Sequence, residues 1–256
     1  MNTVAAAIQS ITEVSQASWA SQGMLDEQAR APEAPRVDLY SGIHKAVRAL
    51  MADTLLALGR MDPDDGPELA YTGLRVTRLL DFCRDHLRHE NALVHTAIES
   101  RAPGETAGLA DDHADHEYDI DALAEATSRL LECPDHQRAA EALALYRQLS
   151  VFVARNFEHM QVEEITHNAV LWAHFSDAEL RGIEAALVAA IPPKQMPFVL
   201  RWLVPFMNPA ERAAMLGGMQ ASVPPAAFTA ALDVVRPHLA AREWRKLAVA
   251  LELPVA

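Results

Sequence analysis

Three His-x-x-x-Glu pairs, His86/Glu90, His113/Glu117 and His159/Glu163, follow a lone His44 that stands one helix-length upstream of the first. At about 100° per residue an imidazole and a carboxylate four positions apart lie on one helix face, about 40° from each other. Neutral imidazole nitrogen and carboxylate oxygen suit iron, manganese or zinc, and the repeated pattern itself contains no soft thiolate. A carboxylate can also bridge two ions, so four inward-facing helices carrying this set can enclose a binuclear metal site in a bundle core. With 11 His, and a Glu at roughly every thirteenth or fourteenth position, about one such pair is the chance expectation, and four occur. The fourth, His95/Glu99, is expected to be a solvated pair, because His95 comes nine residues after His86 and falls about 180° round a regular helix.

The elements that must position these residues read as helices. The chain has 256 residues, is 50% hydrophobic and contains only 10 Gly, which favours an all-α protein. Residues 1–36 read as a lead-in, flexible or one loosely docked helix, ending in the Ala-Pro-Glu-Ala-Pro run at 31–35. From 37 to about 59 the positions Leu39, Ile43, Val47, Leu50, Thr54 and Leu58 have helical period, with His44 beside that stripe. The Pro- and Gly-containing stretch at 61–67 is a turn. Further helices are expected over about 68–100, 105–131 and 136–175, with stops at Pro103-Gly104 and Pro134. His44 to His86 is 42 residues, His86 to His113 is 27 and His113 to His159 is 46. Alternating long and short separations are those of an up-down-up-down four-helix bundle over 37–175 whose ligands share one level nearer one end.

The formal net charge of −13 argues against nucleic acid as a partner, since neutralising phosphates needs clustered Lys and Arg. No apolar run reaches membrane-spanning length, and the amino terminus lacks a basic region followed by an apolar one. A cytoplasmic protein with no membrane partner is expected. Cys83 and Cys133 form no Cys-x-x-Cys motif and are expected to be free thiols.

With these residues in view, the stretch 38–172 resembles the hemerythrin-like family in the variant known as the HHE cation-binding domain. The run His86-Leu-Arg-His-Glu90-Asn-Ala-Leu-Val-His-Thr-Ala-Ile resembles the family's second helix, Asp-Asp-His113-Ala-Asp-His-Glu117 the third, and His159-Met-Gln-Val-Glu163-Glu164 the fourth. The resemblance implies a non-haem di-iron site, with manganese or zinc as other fillings. His44 and His86 would bind one iron, His113 and His159 the other, and Glu90 and Glu163 would bridge them, with Glu117 as a further ligand. The oxygen-carrying members have His where this chain has Glu117, and a carboxylate five rather than four residues after the fourth-helix His. A Glu ligand makes its iron harder and more anionic, which weakens the case for reversible dioxygen binding.

Several neighbours compete for roles. Glu164 lies about 140° round from His159, so Glu163 is preferred as the bridge unless a local bulge re-aims the turn. His89 and His116 are candidate outer partners or alternative ligands, whereas His167 and His174 are expected to be solvent or packing residues. Tyr40, Tyr71 and Tyr118 are candidates for a phenol near the metals, and Phe82, Leu87 and Phe157 for drying the pocket.

Residues 176–256 change character. Ser176 to Glu179 is a capping box, Asn208-Pro209-Ala-Glu211 is another helix start, and the helices between are short and apolar. This region resembles the C-terminal extension of some bacterial hemerythrin-like proteins. It carries no ligand constellation, since His238 stands alone. Its expected work is packing, dimerisation or docking of a protein partner, with Phe198, Leu200, Trp202, Leu203, Phe206 and Met207 as a buried core. Two functions follow from the resemblance. One is a di-iron protein that binds, senses or reduces oxygen, nitric oxide or peroxide. The other is an iron-binding regulator in which metal occupancy controls a partner through the C-terminal helices.

Overall fold

The computed structural model describes residues 36–253, so the reading of the lead-in, apart from its last residue, lies outside the described residues. Helix α1 (Ser41–Arg60) buries His44, Val47, Met51, Thr54 and Leu58, a repeat of three to four residues that turns one face inward. The chain leaves α1 in an extended conformation at Met61. It re-enters a helix where the Asp65 side chain accepts the Glu68 N–H at 3.0 Å, with Pro67 in the first turn.

That helix, α2 (Gly66–His89), continues through a π-helical turn (Glu90–His95) into α3 (Thr96–Arg101), forming one rod. The chain then reverses at Pro103 and Gly104, where Gly104 has φ +92°, a left-handed conformation that residues with a Cβ resist. Helix α4 (Ala107–Glu132) follows. Pro134 separates it from α5 (Asp135–Val162), which runs through a second π-helical turn (Glu163–His167) into α6 (Asn168–His174).

Helix α1 packs against α2 and α5, and α4 packs against the same two, so the four rods close a ring. This is the all-α, up-down-up-down bundle that the spacing predicts. At Gly73 of α2 a Cβ would stand 2.9 Å from Leu131 of α4, so the rods approach closely there. Leu50, Met51, Leu79, Leu80, Ile120, Leu123, Leu145, Leu149 and Phe152 form the apolar interior, each large side chain contributing about 1.5–3 kcal/mol on burial. A smaller apolar cluster, Leu39, Tyr40, Val94, Ile98, Leu171, Phe175 and Leu180, closes the opposite end. On α1 the buried His44 falls between the two clusters, after Tyr40 and before Ala46.

The C-terminal region is helical as expected: α7 (Asp177–Ala190), α8 (Met196–Leu203), a 3-10 turn (Val204–Phe206), α9 (Pro209–Ser222), α10 (Pro225–Val235) and α11 (Ala241–Ala250). Both capping boxes form, at Ser176/Glu179 and Asn208/Glu211. Arg212 is buried and donates from Nε to the Val204 carbonyl at 3.0 Å and from Nη2 to those of Pro205 and Met207 at 2.9 and 3.0 Å. It thereby ties together the carbonyls of the 3-10 turn and of the residue that follows it. Lys45 of α1 meets Glu211 at 2.6 Å, α8 lies along α1, and Trp202 enters the bundle core. The cluster expected around Trp202 is core only in part, since Leu200 and Trp202 are buried but Phe206 is 47% exposed and stacks on Trp202 from outside. Among the described residues no helix is long and apolar enough to cross a membrane.

Candidate metal centre

The four rods bring His44, His86, Glu90, His113, His159 and Glu163 to one level. His44 Nε2 lies 3.5 Å from Glu90 Oε1 and 3.4 Å from Glu163 Oε2, while His86 Nε2 lies 3.2 Å from Glu90 Oε1. On the other side, His113 Nε2 is 3.5 Å from Glu163 Oε1 and 3.9 Å from Glu90 Oε2, and His159 Nε2 is 3.4 Å from Glu163 Oε1. Each carboxylate therefore faces one pair of imidazoles with one oxygen and one member of the other pair, His113 for Glu90 and His44 for Glu163, with its second oxygen. His113 Nε2 and His159 Nε2 point at each other across 2.9 Å, as two ring nitrogens aimed at a common target would.

The donor set fits metal ions. His44 Nε2, His86 Nε2 and all four carboxylate oxygens of Glu90 and Glu163 are buried with no hydrogen-bond partner. Leaving even one buried polar atom unmatched costs about 1–3 kcal/mol, so this concentration of lone pairs is explained by cations that satisfy them together. Two of the sets that these side chains form are His44/His86/Glu90 and His113/His159/Glu163, within each of which the ligand atoms lie within 4.8 Å of one another.

The far side of three rings is anchored. His44 Nδ1 donates to Glu164 Oε1 at 3.0 Å, and Arg48 holds the same oxygen at 2.5 Å. His113 Nδ1 donates to Asn91 Oδ1 at 2.7 Å, and Asp112 lies 3.4 Å from His159 Nδ1. Such partners fix the tautomer and leave Nε2 free to face the centre. Glu163 thus faces the centre, while Glu164 supports it from behind His44.

Electrostatics of the metal-free site follow from this placement. Burial works against a charged His44, yet the carboxylates of Glu164, Glu90 and Glu163 outweigh it and raise its pKa to about 9. Burial also opposes ionisation of Glu163, but His113, His159 and His44 hold its carboxyl well below the usual range. Burial dominates at His86, whose pKa is lowered. For His95 and His116, burial and neighbouring imidazoles push the pKa down to about 4.

Two expectations need correction. Glu117 is exposed and belongs to neither ligand set. The buried residues of α4, His113, His116, Ile120, Leu123, Thr127 and Leu130, form a stripe centred about 50° to the other side of His113, which leaves Glu117 about 90° from its middle. Glu117 is therefore not placed to harden either metal position. His95 is not solvated: it is 5% exposed, and its ring stacks on that of His113 with centroids 4.7 Å apart. The π-helical turn Glu90–His95 accommodates an extra residue and sets later side chains back by up to ~100° relative to a regular helix. That rotation brings His95 from the outer face to the inner one.

The second π-helical turn does the same for His167, expected among solvent or packing residues. It is fully buried, and its Nδ1 lies 3.1 Å from the Tyr40 hydroxyl. Sequence reasoning missed both histidines, although a signal existed: each His-x-x-x-Glu ligand pair on the two interrupted rods is followed four or five residues later by another His. His116 is buried beside His159, ring centroids 4.9 Å apart, with both nitrogens unpartnered. His174 is exposed, as expected. Of the three candidate tyrosines, Tyr40 is buried at the site, whereas Tyr71 and Tyr118 are 58% and 75% exposed. Leu87 is buried and Phe82 half-buried over the site edge, while Phe157 faces outward.

His86 and Glu90 border a cleft of about 1420 Å³ whose other walls include Phe82, Leu187, Phe198 and Met207. Among the six residues of the two sets, His86 has the most exposed side chain, at 12%.

A family model described as "Hemerythrin HHE cation binding domain" matches residues 36–167. No curated protein and no solved structure matches the chain.

Proposed function

Because this chain belongs to the hemerythrin family of HHE cation-binding domains, we propose that its bundle holds two non-haem iron ions and uses them to bind, sense or reduce a small molecule such as oxygen, nitric oxide or peroxide. The observation that carries this reading is the pair of buried carboxylates, each offering one oxygen to His44 or His86 and the other to His113 or His159. His44, His86 and Glu90 would hold one ion, His113, His159 and Glu163 the other, and Glu90 and Glu163 would link them. Manganese and zinc suit the same donors. When bound, an iron pair supplies redox equivalents and positions at which a small ligand can coordinate.

The chain's own residues set the conditions for that chemistry. Glu164, Asn91 and Asp112 orient the rings, so the donor set is held before metal arrives. Leu87 and Val94 keep the layer dry. The cleft at His86 is the route by which a small molecule would enter, because His86 and Glu90 line it and His86 has the most exposed side chain of the six. Two unpaired cysteines and the acidic surface suit a cytoplasmic setting. The regulatory reading draws on a separate observation: α7 packs on the π-helical turn Glu90–His95, so a change in that turn on metal binding has a direct path to the C-terminal helices.

The test is metal analysis and an optical spectrum of protein from iron-supplemented cells, before and after nitric oxide or peroxide. About two irons per chain, with a charge-transfer band that responds to the added molecule, is the expected outcome. Less than about 0.2 metal per chain after reconstitution would contradict it.

A further inference from the structure

We propose that the bundle carries a third cation position, built by His95, His167 and Glu163, for a first-row divalent transition metal. It lies beside the pair described above and shares Glu163 with it, so the inference rests on that reading.

The three residues offer ligand atoms within 4.8 Å of one another and are all buried. His95 Nε2, His167 Nε2 and both Glu163 oxygens have no hydrogen-bond partner. Two imidazoles and a carboxylate are a donor set of intermediate softness that takes zinc, iron, cobalt or manganese. The far side of His167 is anchored as the other ligand rings are: with Nδ1 protonated, it donates to the Tyr40 hydroxyl oxygen at 3.1 Å and leaves Nε2 free.

Ring geometry separates this position from the others. An imidazole binds metal through a lone pair in its own plane, so two rings stacked face to face cannot aim their lone pairs at one ion. Within each of the three sets the two rings are inclined, 86° for His44/His86, 55° for His113/His159 and 87° for His95/His167. His95 and His113, by contrast, are stacked 17° from parallel. Their lone pairs run side by side, so His95 cannot simply complete the shell of the ion that His113 holds. It needs a cation of its own, and His167 stands across from it.

The two π-helical turns make this possible. Each inserts its extra residue directly after a bridging carboxylate, at Glu90 and at Glu163, and each rotates one further His inward. Only two carboxylates serve the whole layer, so the third position is expected to fill last.

Titration of the metal-free full-length chain with Co²⁺, followed by absorption and by metal content after desalting, tests this. The wild type should saturate at about three cobalt ions per chain, and the His95→Gln/His167→Gln variant at about two, with the spectra of the first two equivalents unchanged. Tyr40→Phe, which keeps the ring volume, should weaken the third equivalent alone by about tenfold or more. Saturation at about two in both wild type and double variant would overturn the third position and leave the pair standing. A fall from about two to about one would instead show that this triad is one of the pair and overturn the assignment of the pair itself. Because the wild-type stoichiometry is read independently, a variant that fails to fold leaves the proposal open to refutation.

Discussion

The two halves of this bundle solve opposite problems. The interior around Leu79, Leu149 and Phe152 is apolar and closed. The layer above it gathers seven imidazoles, six of them buried, and two carboxylates whose inward-facing atoms are mostly unmatched. The first half stabilises the fold without help, whereas the second leaves buried polar atoms that a bound cation would satisfy. A bundle can tolerate such a layer because the rods are long: α2 and α5 have apolar contacts before the first π-helical residue, and Leu39, Ile98 and Leu171 resume them afterwards.

The sharpest way to break the comparison is to remove Glu163, the residue that faces every set. Glu163→Ala should abolish metal retention at both positions of the pair while leaving the metal-free protein folded, since no internal hydrogen bond of the apolar half is lost. Metal content and circular dichroism read the two effects separately, and loss of fold with metal retained would refute the division. Phe152→Ala should do the converse, costing about 3–5 kcal/mol in denaturant unfolding with metal content preserved.

Glu164→Gln keeps the shape behind His44 but removes a charge. Metal affinity should fall about 10–100-fold, measured by competition with a chelator, and an unchanged affinity would mean that Glu164 does not orient His44. Acid should act on the histidine layer of the metal-free protein. His95 and His116 have folded pKa values of about 4 against 6.5 for the free side chain. A depressed histidine favours the folded state at high pH, and that contribution is lost as pH falls from about 6.5 towards 4. The melting temperature should drop over that window by about 2–4 °C per kcal/mol lost, and His95→Gln/His116→Gln should flatten the dependence. The smallest effect concerns Cys83, whose thiol burial pushes up to about 12. Under native conditions at pH 8 it should resist a thiol reagent that labels the half-buried Cys133, and equal rates would show that the apolar half is not closed.

Much of this arrangement was legible in the residues. Helical period, Pro and Gly stops and the unequal spacing of His44, His86, His113 and His159 suffice for the four rods and their order. Those histidines and Glu90 and Glu163 could be placed on one level because α1 is regular at His44 and the other rods are regular up to their ligands. What could not be read was the phase of the helices beyond those points. A regular 3.6-residue period puts His95 outside, and only the π-helical turn at Glu90 brings it in. Glu117 failed for a different reason. Four-residue spacing places it near His113 but does not say on which side of His113 the helix is buried, and Ile120, Leu123 and Leu130 decide that.

Anomalous diffraction from crystals of the iron-loaded full-length chain tests the central claim most directly. The account predicts two strong iron peaks about 3.5–4 Å apart, one beside His44 and His86 and the other beside His113 and His159, with Glu90 and Glu163 contacting both. A single peak, or peaks that these two carboxylates do not link, would contradict it.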